Sequence, residues 1–433
     1  MSTDLPIPRF AALQHRDFRL LWIGQLVATI GAQMQLIAIN WHVYELLRGS
    51  AYTIWIVGRP IELDAKALGL GTLGLARIVP IILFALVGGV LADTHDRRRL
   101  MIWTRAAAAS LAGILALLAW SGRASVGAIY LITAIGAAVT AFDSPARQAL
   151  VPNLVPREHL TNAISLNTLM WQIGTITGPA LAGVLVGQFA VSVVYALAAF
   201  SFVVMMAMLW LMRYRGGAAA RNVGLGWDAL LEGLRFTYRS RIIWSTMLLD
   251  FFATFFSSAN TMLPIVASDI LGVGVQGYGL LATGQPVGAV VAGLILALRR
   301  DIRRQGLVLL VSVAVYGLAT AAFGLSTIFA LSYLFYSLTG AADTVSTVIR
   351  NTIRQLLTPD ELRGRMTSVN MVFFMGGPQL GEMEAGLVAA ACGPAFSIVS
   401  GGLATALLTA WVAWRFPRLR CYVRDESAAA SGT

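Results

Sequence analysis

Four carboxylates stand inside otherwise apolar runs of this 433-residue chain: Asp250, Asp343, Glu382 and Glu384. An ionisable group within a bilayer is costly and faces a cavity or a partner. A carboxyl so placed can take up and release a proton, the chemistry that a proton-coupled process requires. Asp250 lies roughly 13 Å into its run at about 1.5 Å per residue. Glu382 and Glu384 are about 200° apart around a helix, so both cannot face one cavity. One is expected to line a polar path while the other packs against neighbouring helices or reaches the outer interface, with Glu382 and Asp343 the leading path candidates. A buried pair between either glutamate and Arg77 is the structural alternative.

Neutral hydrogen-bonding groups accompany them. Gln25, Gln33, Gln35 and Asn40 share the first apolar run, and Asn260, Gln285 and Asn370 lie in later ones. They either line a path or bond across helices. Asp143 and Arg147 form an (i, i+4) pair suited to a gate-side salt bridge. His42 and Glu45, beside Trp41 and Tyr44, read as an outer interface, and Met205, Met206 and Met208 as core or lipid-facing. The four histidines are dispersed, without metal-ligand spacing. Neither a phosphate loop of the form G-x-x-x-x-G-K-(S/T) nor a nucleophile–base constellation occurs. No cofactor, no metal and no enzyme activity are expected.

The elements that must position these groups follow from composition. Hydrophobic residues make up 57% and charged residues 12% of the chain, against roughly 25% charged in soluble domains. Twelve runs are long enough for a helix to cross a bilayer, which takes about 20 apolar residues. They cover 18–46, 68–91, 100–121, 124–143, 160–187, 190–212, 242–270, 277–298, 305–325, 328–356, 363–390 and 394–415. The fold class is therefore an all-α polytopic membrane protein. The segment Met1–Phe10 lacks an apolar core and a cleavage site, so the first run serves as insertion signal.

If the N-terminus is cytoplasmic, all but five of the 32 basic residues fall in inside segments; the exceptions are Arg48, Arg59, Lys66, Arg77 and Arg123. This asymmetry is the positive-inside rule. It accounts for the net charge of +11 without a nucleic-acid partner, and it places both termini in the cytoplasm. Cys392 and Cys421 then lie on opposite sides of the membrane and form no disulfide.

The chain also repeats itself. A shift of 203 aligns Arg147 with Arg350, Pro156 with Pro359, Glu158 with Glu361, Ser165 with Ser368 and Asn167 with Asn370. The same shift pairs Gly174, Gly178 and Gly183 with Gly377, Gly381 and Gly386. Earlier, "RLLW" at Arg19–Trp22 matches "RIIW" at Arg241–Trp244 with a shift of 222. The difference locates an insertion at about 49–68. Two six-helix pseudo-repeats result: an N-terminal half 1–213 carrying that insertion, and a C-terminal half 241–415. Between them runs a cytoplasmic linker 214–240 with a surface helix in "GWDALLEGLRFTYRS", and a tail 416–433 follows. Repeated halves place a substrate path at their interface, near the midplane.

"GGVLADTHDRRRLM", Gly88–Met101, resembles the signature loop of the major facilitator superfamily through Gly89, Leu91, Ala92, Asp93, Arg97 and Arg98. Thr94 and Asp96 depart from the pattern, replacing a basic residue and a glycine. The resemblance implies a gating role, with Asp93 contacting the start of the eleventh helix near Pro359–Gly364. "GTITGPALAG", with Gly174, Gly178, Pro179 and Gly183, resembles the motif of exporters and proton antiporters. "FDSPARQALVPNLVPREHLTNAISLN" and "TPDELRGRMTSVN" look like the enterobactin-exporter-like, transmembrane secretion effector branch. The resemblance implies the major facilitator fold and a monomeric secondary transporter of the cell inner membrane. Proton-coupled export of a siderophore or drug-like amphipath by alternating access is the expected activity. A proton-symport importer and a transport-inactive sensor or partner subunit remain as alternatives. The expected partners are a small-molecule substrate, protons and the lipid bilayer.

Overall fold

The structure is a computed structural model that describes residues 10–56, 59–94, 96–214, 234–299, 302–359 and 362–423. It is almost wholly helical. The first group comprises α1 (Arg16–Leu46), α2 (Ala65–Thr94), α3 (Arg97–Trp120), α4 (Val126–Leu150), α5 (Leu160–Gln188) and α6 (Val191–Leu211). The second comprises α7 from Arg241, α8 (Gly274–Leu298), α9 (Gln305–Leu325), α10 (Phe329–Leu357), α11 (Arg363–Cys392) and α12 (Pro394–Arg415). Among the described residues, ten of these are long and apolar enough to cross a membrane by length and composition. The remaining two, α10 and α11, have 29 and 30 residues but carry much of the polar chemistry. The expected linker helix is seen only over 234–239; the rest of "GWDALLEGLRFTYRS" lies outside the described residues.

Two apolar runs are not continuous α-helices. The chain of α7 is regular over Arg241–Phe256, then passes through a 3-10 turn at Ala259–Met262 and a π turn at Val266–Ile270. Side chains meet the polar groups freed there. Tyr316 Oη donates to the Ser257 carbonyl at 3.3 Å, and the Ser257 and Thr405 hydroxyls lie 2.8 Å apart. Backbone polar groups at membrane depth must be satisfied within the protein. A smaller break at Thr283 divides α8. At the other extreme, Gly393 alone joins α11 to α12; its φ of +91° is open to glycine, and Pro394 starts the next helix.

The inserted segment forms a β-hairpin, β1 (Ala51–Ile56) paired antiparallel with β2 (Arg59–Asp64), Ile54 opposite Ile61. The described chain forms two compact units, 1–46 with 76–222 and 47–75 with 223–433. The hairpin and the first part of α2 thus belong with the second unit. There α2 crosses α11 through glycine: a Cβ on Gly71 would lie 2.8 Å from the Cα of Gly386.

Each unit is built on the same contacts. In the first, α1 packs on α5 and α6, and α3 on α4 and α6. In the second, α7 packs on α11 and α12, and α9 on α10 and α12. The repeated glycines make equivalent contacts. Gly174 lies against Thr29 and Gly178 against Gln33, while Gly377 lies against Phe251 and Gly381 against Phe255. Thr29 and Phe251, like Gln33 and Phe255, are related by the 222-residue shift. A Cβ at Gly178 would sit 2.4 Å from Gln33 Cβ, and one at Gly381 2.3 Å from the Phe255 carbonyl oxygen. Gly178→Val and Gly381→Val should each destabilise by about 1–3 kcal/mol or more through overpacking. Gly113→Ala, where nothing lies within 4 Å, should not destabilise. Melting curves of the purified protein test this; unchanged curves for both valine variants would show that the glycines are not close-packing positions.

Candidate functional site

The second unit buries two guanidiniums. Arg350 and Arg354 on α10 have side chains 3% exposed, and between them lies Asp250 of α7, equally buried. Arg350 Nη1 stands 2.8 Å from Asp250 Oδ1, and Arg354 Nη2 3.6 Å from Oδ2. Arg354 also donates to the Thr246 hydroxyl and carbonyl, both at 3.1 Å, and to Asn370 Oδ1 on α11. This one side chain therefore ties α7, α10 and α11 together. Arg350 reaches a second carboxylate, Asp343, at 3.4 Å, and the Thr347 hydroxyl at 2.7 Å. Unlike Asp250, Asp343 is 41% exposed. The cluster of two arginines and two aspartates sums to zero charge. Nearby, Tyr336 Oη donates to Asn260 Oδ1, with Gln285 Oε1 at 3.3 Å.

A different cluster occupies the first unit. Asp143 of α4 meets Arg105 of α3 at 2.5 Å and Arg147 at 3.8 Å, and accepts from the Thr104 hydroxyl at 2.9 Å. One carboxylate faces two guanidiniums, leaving one positive charge. The group borders a cavity of about 190 Å³ lined also by Gln25, Thr29, Gln33, Thr140 and Trp171. Among the described residues no other charged side chain lines it. Arg147 Nε, buried 3.8 Å from Asp143 Oδ2, has no acceptor within hydrogen-bond distance.

The remaining polar residues divide. Gln33 lines the first unit's cavity, whereas Asn40 is spent as acceptor for Arg77 Nη2 at 2.9 Å. His42 Nδ1 lies 3.2 Å from Tyr195 Oη. Glu382 packs into the α2–α11 crossing, where a Cβ on Gly74 would lie 3.2 Å from its Oε2. Glu384 is half-buried two residues on. Gly174, Gly178, Pro179 and Gly183 are buried on α5 as helix-packing positions.

At the loop after α2, Gly89 and Asp93 fall within that helix, and their side-chain surroundings lie outside the described residues. Arg97 and Arg98 open α3. Asp96 is the N-cap of α3, accepting from the Arg98 and Arg99 backbone N–H groups at 2.9 and 3.2 Å. Its φ of −61° needs no glycine, which accounts for the departure from the loop pattern. Arg98 donates to the carbonyls of Leu209, Trp210 and Tyr214 at 2.7, 2.9 and 3.4 Å. It thereby satisfies the C-terminal carbonyls of α6 and complements that end of the dipole. Asp17 of α1 accepts from the backbone N–H groups of Arg213 and Tyr214 at 3.1 and 2.7 Å.

A family model described as transmembrane secretion effector matches residues 7–431. The chain belongs to this family. It is a multi-pass membrane transporter of the major facilitator superfamily, not an enzyme. Over 402 residues it is 27% identical to the enterobactin exporter EntS of Citrobacter koseri, covering 91% of this chain and 92% of that one. The EntS protein of Salmonella typhi is 25% identical, with 91% of each chain covered. A bacterial homologue of the human lysosomal transporter Spinster superposes with a TM-score of 0.70 at 14% identity, over 94% of this chain and 97% of that one. A peptide transporter, POT, gives 0.71 at 14% identity, over 94% and 95%. These two structures speak to the fold alone.

Arg350 and Arg354 were legible in this transporter's sequence only as part of the basic excess, yet they are buried partners of Asp250. The repeat offered a signal, since Arg350 aligns with Arg147, itself paired with Asp143. Removing one member of a buried ion pair costs about 3–5 kcal/mol. Asp250→Ala should therefore lower the melting temperature sharply or abolish recovery of folded protein, and Asp343→Ala far less. Equal melting curves for the two variants would show that Asp250 does not anchor the cluster.

Proposed function

We propose that this transporter exports a small organic molecule bearing an acidic group, of the siderophore or drug-like amphipath class, in exchange for protons. The membrane is a bacterial inner membrane, crossed twelve times, with both termini cytoplasmic. The observation that carries the reading is the uncompensated positive charge of Arg105, Asp143 and Arg147 beside a polar cavity. Its size suits one group of a cargo rather than the whole molecule. Arg147 would bind that acidic group and Trp171 pack against its apolar part. The relatives named as enterobactin exporters and the buried glycines of α5 support export by alternating access. The asymmetry of basic residues supports the orientation.

Asp343 is the carboxylate best placed to exchange protons. It is accessible, it has a single guanidinium at a longer distance than Asp250 has, and its protonation would free one face of Arg350. Glu382 and Glu384 are secondary candidates. In inverted vesicles with an acidified lumen, enterobactin uptake should rise with the gradient and collapse on adding a protonophore. Asp343→Asn should lose at least tenfold of the gradient-driven component while still binding cargo. Uptake indifferent to the gradient would remove the coupling, and gradient-driven movement out of the lumen would make the protein an importer. Arg147→Gln should weaken enterobactin binding by about tenfold, the loss of roughly one charge-assisted hydrogen bond. Unchanged binding would dismiss the first unit's cavity as a cargo site.

A further inference from the structure

We infer that the groove between α8 and α9 holds an anionic phospholipid, its headgroup on Arg299, Arg303 and Arg304. Both helices lean on α10 and enclose a space of about 580 Å³. The walls are apolar, with Val291 and Ile295 on α8, Val311 and Val315 on α9, and Leu338 and Val345 on α10. Val291, Ile295 and Val311 are each just over half exposed, as side chains facing acyl chains would be. Three arginines close the groove at one end, and among the described residues no carboxylate lines it. None of the three is in an ion pair among the described residues, and all are exposed. The connecting sequence, "RRDIRR" over 299–304, sets four arginines against one aspartate.

An occupant must therefore be anionic at one end and apolar for about 12 Å, the span from Arg299 to Val291 at about 1.5 Å per residue. A phospholipid with a negative headgroup has that form; free phosphate would leave the apolar walls unused. Acyl chains gain little by leaving a bilayer that is equally apolar, so the headgroup sets the selectivity and the groove sets the fit. Basic pockets between helices at the cytoplasmic side are suited to such headgroups, and positive-inside charge puts this end there. The inference depends on that orientation but not on cargo or direction of transport.

Native mass spectrometry of the full chain, released from neutral detergent with phosphatidylglycerol or phosphatidylcholine added, reads retained lipid directly. The wild type should retain phosphatidylglycerol about tenfold over phosphatidylcholine. The triple variant R299Q/R303Q/R304Q should lose that preference, whereas R48Q/R123Q, equally basic positions at the other face, should keep it. Val311→Trp should fill the groove and lower retention without changing charge; if that variant melts early, Val291→Phe repeats the measurement. A preference that survives the triple variant or the groove-filling variants overturns the inference. So does displacement of the lipid by millimolar inorganic phosphate, which would reduce the site to an ion site. A wild-type dimer that Val311→Trp converts to monomer would assign the groove to a second copy of the chain instead.

Discussion

A guanidinium carried into a low-dielectric interior must bring its counter-charge with it, because the desolvation penalty is several kcal/mol per ion (order of magnitude). Arg350 and Arg354 meet that constraint through Asp250, and much of the second unit's arrangement follows from it. Three helices have to converge so that α7 supplies the carboxylate, α10 both cations and α11 the amide of Asn370. Close approach of α7 to α11 is possible because Gly377 and Gly381 present no side chain to Phe251 and Phe255. Packing and electrostatics are thus one requirement here: a bulkier residue at either glycine would also pull apart the charges.

The two units share the scaffold but not the chemistry. Glycines related by 203 residues press against α1 and α7 positions related by 222, so the helix crossings are duplicated. Arg147 and Arg350 are duplicated as well. Their counter-ions are not. Asp143 sits one turn before Arg147 on its own helix, whereas Asp250 comes from α7, where the first unit has Ala28 at the corresponding position. Backbone geometry tolerates little change once helices touch through glycine. Charges need only find partners, and can do so from different helices. The outcome is a neutral cluster in one unit and a cationic one in the other.

Hydropathy made most of the helices legible, because period and length survive without tertiary knowledge. The repeat was legible from glycines whose contacts prove equivalent. Less accessible were features set by pairing across the chain. Arg98 reads as a cation of the signature loop until the α6 carbonyls are placed beside it, and Arg354 as one more topogenic cation until Asp250 is. Asp96 looked like a defect in a loop pattern, yet its carboxylate caps α3; the N-cap preference for aspartate was a signal available from "THDRRR". The repeat marks the hairpin only as an insertion, although the alternation in "AYTIWI" is strand-like. The breaks in α7 left no clear mark, since Pro264 lies after the first irregular turn.

Proton and anion binding reinforce each other when they occur at one place, because each neutralises the charge of the other. Electrostatics alone would therefore favour their joint movement, and by linkage the effect is reciprocal. Exchange demands separation of the two events. Here the accessible carboxylate belongs to the cluster without surplus charge, and the surplus cation belongs to the cluster whose carboxylate is buried between two arginines. Under the proposed function, cargo at Arg147 and a proton at Asp343 would each have to favour a different conformation. A ligand shifts an equilibrium by no more than its differential affinity for the two states. On the proposed role of Asp343, the freed face of Arg350 would offer such a difference, since with Asp343 ionised it keeps a partner and with Asp343 protonated it would need a new acceptor. Coupling of that kind requires Asp343 to let go while Asp250 holds, and the 3.4 Å and 2.8 Å separations from Arg350 are ordered accordingly.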